Sequence, residues 1–204
     1  MNFLAHLALS HEIDDWMVGN FLADFIKPKD LRGFSDGIQF GIQIHRKIDF
    51  YTDHNTYVKS SIHRMSQSQG KYAAVVVDIC YDYFLFKHWD VYYPEKDLDV
   101  FIESAYRTLD NFRDEFPKPI LPMFDRMLRF DFLRSCINKE RLLANFEKLK
   151  TRVSFENNLH AATDAFLSQE LLYEAEFLHF YPLLVDAVDT YIEQENHKIQ
   201  ENEQ

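Results

Sequence analysis

The segment that most constrains this fold runs from residue 71 to residue 88 and reads KYAAVVVDICYDYFLFKH. It is apolar on almost every side, unlike a surface helix with one apolar stripe. The three consecutive valines alone would also suit a buried strand, but the uninterrupted length of the segment favours a helix. We therefore predict a central buried helix against which the rest of the chain packs.

Turn-forming residues are scarce, because the 204 residues include only 5 Gly and 6 Pro. An all-β fold needs a turn roughly every 8 to 12 residues, and this chain cannot supply them. Apolar residues instead recur at helical spacing, as Met17, Phe21 and Phe25 do within residues 12–26. The sequence predicts one all-α domain of seven to nine helices over residues 1–192. The polar tail, residues 193–204, is expected to fray.

The remaining elements follow from caps, prolines and polar stretches. Ser35 is a plausible N-cap, and Pro182 is expected to kink or break the last helix. Further helices are predicted over residues 36–53, 55–65, 97–115, about 122–136, 138–153 and from about 158 onward, with loops at 66–70 and 117–122.

Composition excludes several protein classes. No run of about 18 apolar residues is present, so no membrane-spanning helix is expected. Cys80 and Cys136 lie far apart and outside any CxxC pair, which favours reduced thiols in a cytoplasmic protein. The net charge of −11 argues against nucleic-acid binding. Residues 27–71 nevertheless hold eight basic and four acidic side chains, a local charge of +4 that suits an acidic partner or a phosphate, or reflects chance scatter.

Two acidic residues lie inside the apolar segment. Asp78 and Asp82 are four residues apart, so both project from one face of the predicted helix. A buried carboxylate must be paired, hydrogen-bonded or bound to a metal, because burying it bare costs several kcal/mol. The pair is therefore a candidate for binding a shared cation.

A second stretch, IQIHRKIDFYTDHN at residues 42–55, has the same spacing, with His45, Asp49 and Asp53 four residues apart. Packed face to face, the two helices would offer one imidazole and three carboxylates, a ligand set suited to Mn²⁺, Fe²⁺ or Mg²⁺. Ordinary ion pairs of these acids with Arg46 or Lys47 are the alternative.

Three isolated residues are further candidates. His6 lies in the apolar NFLAHLAL, as a ligand or a core histidine, and Asp24 lies among apolar neighbours in GNFLADFI. Gly19 and Asn20, just before it, suit a close approach of two helices. His88 ends the apolar segment, where it would face either a site or the helix C-terminus.

Four motifs in this order, MNFLAHLALS, GNFLADF, HRKIDFYTD and DICYDYFLFKHW, resemble the acyl carrier protein phosphodiesterase family, a divergent branch of the HD-type metal phosphohydrolases. The resemblance implies an HD-phosphohydrolase-like helical enzyme that uses Mn²⁺, or another divalent cation such as Mg²⁺ or Fe²⁺. It would hydrolyse the phosphodiester that joins 4′-phosphopantetheine to a serine of holo acyl carrier protein.

The resemblance also suggests roles for individual residues. Ligand candidates share an imidazole or carboxylate group: His6, Asp24, His45, Asp49, Asp78 and Asp82. Catalytic candidates are Asp24, His45, Arg46 and Asp82, with Arg46 as a bidentate phosphate clamp. Substrate-contacting candidates are Arg46, Lys47, Asp53, Tyr83 and His88.

Two positions depart from the family pattern. Tyr83 stands where a His commonly follows the second Asp of the DICYD motif, and Pro28 stands where a Gly commonly ends the motif after Asp24. The first departure puts metal binding in question, and the second changes only a loop. Two alternative functions stay open: a phosphohydrolase acting on a nucleotide or another small phosphodiester, and a helical binding module without enzymatic activity.

Overall fold

The computed structural model describes residues 3–152 and 161–202. Within these ranges the chain contains eleven α-helices and no β-strand, which confirms the all-α prediction and exceeds the predicted number of helices. The helices are α1 Phe3–Ala8, α2 Asp14–Leu22, α3 Asp36–His54, α4 Thr56–Gln69, α5 Ala73–Lys87, α6 Trp89–Tyr92, α7 Leu98–Asn111, α8 Leu121–Arg129, α9 Lys139–Arg152, α10 Ala162–Leu167 and α11 Glu170–Asn202. No helix in the described ranges has the length and apolarity needed to cross a membrane.

Helix α5 is the predicted central helix. Its residues from Cys80 to Phe86 are all buried, and it packs against α4, α9 and α11. Aromatic rings fill the space around it: Tyr81 contacts Phe177 and Phe180 of α11, and Phe84 contacts Phe166 of α10. A helical segment buried on every side has no reason to alternate polar and apolar faces, which explains the composition of α5 from Cys80 to Phe86; Val75, nearer its start, is exposed.

Side-chain caps set several helix starts. The Ser35 hydroxyl accepts a hydrogen bond from the Ile38 backbone N–H, 3.2 Å away, as predicted for the start of α3. Asn55 caps α4 through the Tyr57 N–H at 2.9 Å, and Asp97 caps α7 through the Val100 N–H at 3.0 Å.

The loop predictions at 66–70 and 117–122 were largely wrong. Helix α4 continues through Gln69 because Met65 and Gln69, four residues apart, are both buried; it ends at Gly70, whose φ of 52° few other residues adopt. Residues 118–120 form a short 3₁₀-helix that leads directly into α8.

Two predicted long helices also differ. Residues 122–136 are divided at Asp131, whose φ is 47°, into α8 and a 3₁₀-helix. Helix α11 runs from residue 170 through Pro182 without a break, so of the predicted kink or break the break was wrong and the kink stays a prediction. The predicted helix start near residue 158, and residue 153 at the end of the predicted helix 138–153, lie outside the described residues. The predicted boundary between the domain and a frayed tail, at residue 192, stays a prediction, and α11 remains helical to Asn202.

Candidate metal centre

The site is built where α2 and α3 touch. A Cβ built on Gly19 would lie 2.0 Å from the Ile38 carbonyl oxygen, and one built on Gly41 would lie 2.2 Å from the Trp16 carbonyl oxygen. Only glycine fits at either position, which confirms the close helix approach predicted at Gly19. Asn20 follows Gly19, and His45 lies one turn after Gly41, so this contact brings Asn20 and His45 together.

Asn20 is the hub of the site and is fully buried. Its Nδ2 donates to the His6 carbonyl oxygen at 2.7 Å and to the Ser10 hydroxyl at 3.1 Å. A carbonyl can only accept, so this contact fixes the orientation of the Asn20 amide. The Asn20 Oδ1 therefore faces the two histidines.

This orientation determines the tautomers of His6 and His45. His6 Nδ1 donates to Asn20 Oδ1 at 2.9 Å, and His45 Nδ1 donates to the Asn20 backbone carbonyl at 2.9 Å. Both protons on Nδ1 are thus held by Asn20, and both Nε2 atoms point the other way. In metalloproteins, a ligating histidine commonly donates its other N–H in this manner.

The two imidazoles are stacked, with centroids 4.1 Å apart and planes at 24°. Asp49, one turn beyond His45, lies across their Nε2 atoms. Its Oδ1 is 3.4 Å from His6 Nε2, and its Oδ2 is 3.0 Å from His45 Nε2. Ligand atoms of His6, His45 and Asp49 all lie within 4.8 Å of one another, close enough to share one ion.

Asp24 lies beside this group. Its Oδ1 is 3.3 Å from His45 Nε2, but its carboxylate does not join the three residues within 4.8 Å of one another. The side chains of Asp24 and Asp49 are each about half exposed, whereas His6 and His45 are buried. The carboxylates therefore form the mouth of the site, and the imidazoles form its floor.

The electrostatics of the group favour a cation. Burial opposes the charged form of His45, but hydrogen bonds to Asp24 and Asp49 outweigh burial and raise its pKa to about 9. Burial lowers the pKa of His6, whose neighbour His45 adds to the effect. Burial opposes ionisation of Asp49, but hydrogen bonds from both histidines lower the pKa of this carboxyl well below its ordinary range.

Comparison with known families and proteins agrees with the motifs. The family described as acyl carrier protein phosphodiesterase matches residues 1–184. The chain belongs to the acyl carrier protein phosphodiesterase family. It is 31% identical to the acyl carrier protein phosphodiesterase of Klebsiella pneumoniae subsp. pneumoniae over 195 residues, which cover 91% of this chain and 96% of that protein.

Two other relatives carry the same name. The protein from Enterobacter sp. is 30% identical over 195 residues, and the one from Salmonella paratyphi A is 27% identical over 197 residues. Each alignment covers 91% of this chain and 96% of the relative. No solved structure matches the chain. Every residue of the group around His45 lies within the part of the chain that the acyl carrier protein phosphodiesterase family matches.

The predicted pairing of α3 with α5 was wrong. Helix α3 packs mainly on α2, and also on α4 and α11, whereas α5 packs on α4, α9 and α11. Asp78 and Asp82 therefore do not join the group formed by His6, His45 and Asp49. Burial raises the pKa of the Cys136 thiol to about 12, and the charge of Asp82 adds to this rise. A ligand role for Asp78 and Asp82, and a catalytic one for Asp82, have no support in this geometry.

The predicted substrate-contacting residues lie on α3, on α5 and just after α5. Arg46 and Asp53 are exposed on α3, and the Lys47 ammonium lies 5.7 Å from the centroid of the Tyr191 ring. His88 is at the end of α5, where its Nε2 lies 2.6 Å from Glu174 Oε1. Of the two positions expected for His88, facing a site or the helix C-terminus, the structure shows the helix C-terminus.

Tyr83 lies among aromatic side chains of α5 and α10. It is buried against Phe84 and Phe166, and the charges that act on it come from Glu170, Lys139, Lys87 and Glu174. The departure from the family's His at this position therefore leaves the group around His45 unaffected.

Sequence reasoning missed the function of Asn20. Its signal was a polar amide in the apolar GNFL, next to a glycine that allows close packing. A buried amide must find hydrogen-bond partners, and here these are His6, His45 and Ser10.

Proposed function

We propose that this chain is a metal-dependent phosphodiesterase that releases 4′-phosphopantetheine from holo acyl carrier protein. Water would add to phosphorus, the bond between phosphorus and the serine Oγ would break, and the serine oxygen would receive a proton. The products are 4′-phosphopantetheine and the apo carrier. Family membership supports the substrate, because the relatives are named as phosphodiesterases of acyl carrier protein.

One observation carries the metal requirement: His6, His45 and Asp49 present ligand atoms within 4.8 Å of one another, with both Nδ1 protons held by Asn20. Two imidazoles and a carboxylate suit Mn²⁺ or Fe²⁺, and Mg²⁺ is a weaker candidate because it prefers oxygen ligands. A divalent cation bound there would polarise the phosphoryl group and lower the pKa of the attacking water.

The neighbouring side chains have distinct roles in this proposal. Asp24 lies beside the group, half exposed, and its pKa is lowered chiefly by the hydrogen bond from His45. We assign it the task of accepting the proton of the attacking water. Arg46, exposed on the residue after His45, would bind two phosphoryl oxygens.

A cytoplasmic location follows from the same proposal. Cys80 and Cys136 are buried free thiols, which suits a reducing compartment. The basic residues between 27 and 71 would face the acidic carrier protein.

The test uses the purified full chain, treated with a chelator and then given Mn²⁺. Incubation with holo carrier protein should lower the carrier's mass by one phosphopantetheine, measured by mass spectrometry, and no loss should occur before Mn²⁺ is restored. His45→Ala and Asp49→Asn should abolish release. Matched controls are His63→Ala and Asp186→Asn, which remove exposed side chains on α4 and α11.

Retained release by His45→Ala or Asp49→Asn would contradict the assigned site. A wild-type protein that binds Mn²⁺ but leaves holo carrier intact would contradict the substrate. In that case, turnover of a small phosphodiester would favour the alternative phosphohydrolase.

A further inference from the structure

A cleft of about 460 Å³ begins one residue beyond Asp24. Phe25 and Ile26 form its near wall, and Pro117 and Pro119 line it from the segment that precedes α8. This volume is within the range of roughly 300–1,000 Å³ that is typical of small-molecule sites. Asp24, at the open mouth of the metal centre, precedes Phe25 in the chain, so this wall of the cleft begins one residue from that mouth.

The lining of the cleft combines apolar rings with charges of both signs. Phe25, Phe34, Pro117 and Pro119 provide the apolar surface, and the Phe25 side chain is 37% exposed. An aromatic side chain that is this exposed beside a polar site is available for contact with a ligand.

The charges exclude some ligand classes. Lys27 and Lys29 are opposed by Asp30, Asp114 and Glu115, so the lining is close to neutral overall. A polyphosphate or nucleic acid would meet three carboxylates, and a purely apolar chain would displace water from five exposed charged side chains. The lining fits a neutral chain that alternates apolar groups with amides and hydroxyls.

The substrate proposed above contains such a chain. We propose that this cleft binds the pantetheine arm of the substrate, an inference that rests on the proposed function. The phosphodiester would lie at His6, His45 and Asp49, and the arm would run past Asp24 along Phe25 and Phe34. Its amides would hydrogen-bond to the polar groups of the lining, and its dimethyl group would pack on the rings.

Gly33 offers a way to close the cleft without disturbing the fold. It lines the cleft, and a Cβ built on it meets no atom within 4 Å. Gly33→Trp would therefore place an indole in the cleft. Gln67→Trp, on the exposed face of α4, is the matched control.

The experiment measures phosphopantetheine release from holo carrier, Mn²⁺ affinity, and the binding of free pantetheine by calorimetry. Gly33→Trp should lower kcat/KM by about tenfold or more, since the arm can no longer orient the phosphodiester. It should also abolish pantetheine binding while Mn²⁺ affinity and Tm stay at wild-type values. Gln67→Trp should match the wild type in every measurement.

Full activity of Gly33→Trp would overturn the inference and leave the proposed function intact. A wild-type protein that releases no phosphopantetheine would overturn the proposed function. The binding of free pantetheine would then test separately whether the cleft holds the arm. Absence of pantetheine binding to the wild type would overturn the assignment of the cleft.

Discussion

Gly19 of α2 and Gly41 of α3 are in direct backbone contact: a Cβ on Gly19 would lie 2.9 Å from the Gly41 Cα. This contact sets the distance between the two helices that hold Asn20, His45 and Asp49. The metal centre therefore depends on two residues that have no side chain.

Gly19→Ala should destabilise the protein, because its methyl group would collide with the Ile38 carbonyl oxygen. We expect the free energy of unfolding to fall by about 1–3 kcal/mol or more, since the obstacle is backbone that cannot rotate away. Chemical denaturation measures this change. Gly33→Ala, where a Cβ meets open space, is the control and should keep wild-type stability. Equal stability of both variants would contradict the packing.

Asn20→Ala should weaken Mn²⁺ binding by about 10–100-fold, since His6 loses the side-chain acceptor that orients it, whereas His45 keeps the backbone carbonyl of residue 20. Asn145→Ala is the matched control. It removes an amide on α9 that donates to the Ser135 carbonyl, 2.8 Å away, and not to either histidine. Isothermal titration should show a wild-type Mn²⁺ affinity for this control. A comparable loss of affinity in both variants would mean that the effect of Asn20 is only on stability.

Binding of Mn²⁺ near neutral pH should release about one proton. The raised pKa of His45, about 9, means that this imidazole is protonated in the metal-free protein, and the ion must displace that proton. Calorimetry in buffers of different ionisation enthalpy counts the protons released. Affinity should increase with pH until about pH 9, whereas a flat profile below that pH would argue against His45 as a ligand.

The free energy of unfolding of the metal-free protein should fall as the pH rises from roughly 6.5 to 9. The folded-state pKa of His45 is raised, so its stabilising contribution is complete below the unfolded value of 6.5 and disappears as pH rises through about 9. Urea denaturation across this range measures the decline. His45→Ala should show a smaller decline, and an identical slope in both proteins would disprove the contribution of His45.

Tyr83→His should restore the residue type common in the family without changing Mn²⁺ affinity, because Tyr83 packs on Phe84 and Phe166 rather than beside His45. The loss of aromatic packing should lower the free energy of unfolding by about 1–3 kcal/mol. Mn²⁺ titration and denaturation measure the two effects separately. A tighter Mn²⁺ affinity in the variant would place position 83 near the ion.

Much of the fold could be predicted because the relevant signals are local. Ser35 caps the helix that it was expected to cap, and the apolar segment around Cys80 forms the central helix. The polar stretch at 66–69 misled the prediction because its helical state depends on the burial of Met65 and Gln69 by other helices. Burial of that kind is a property of the assembled core.

The candidate site was predicted in part for the same reason. His45 and Asp49 share a face of one helix, and their spacing alone establishes that relationship. Asp78 and Asp82 share a face of α5 in the same way, but periodicity does not say which helix a face meets.

The sequence by itself determined the helical class, the central helix, and the family, because these depend on periodicity, composition and ordered motifs. Only the tertiary structure decided that His6 stacks on His45 and that Asn20 holds both. The physical reason is the Gly19–Gly41 contact. Close packing of α2 on α3 there brings Asn20 next to His45, so that residues far apart in sequence form one site.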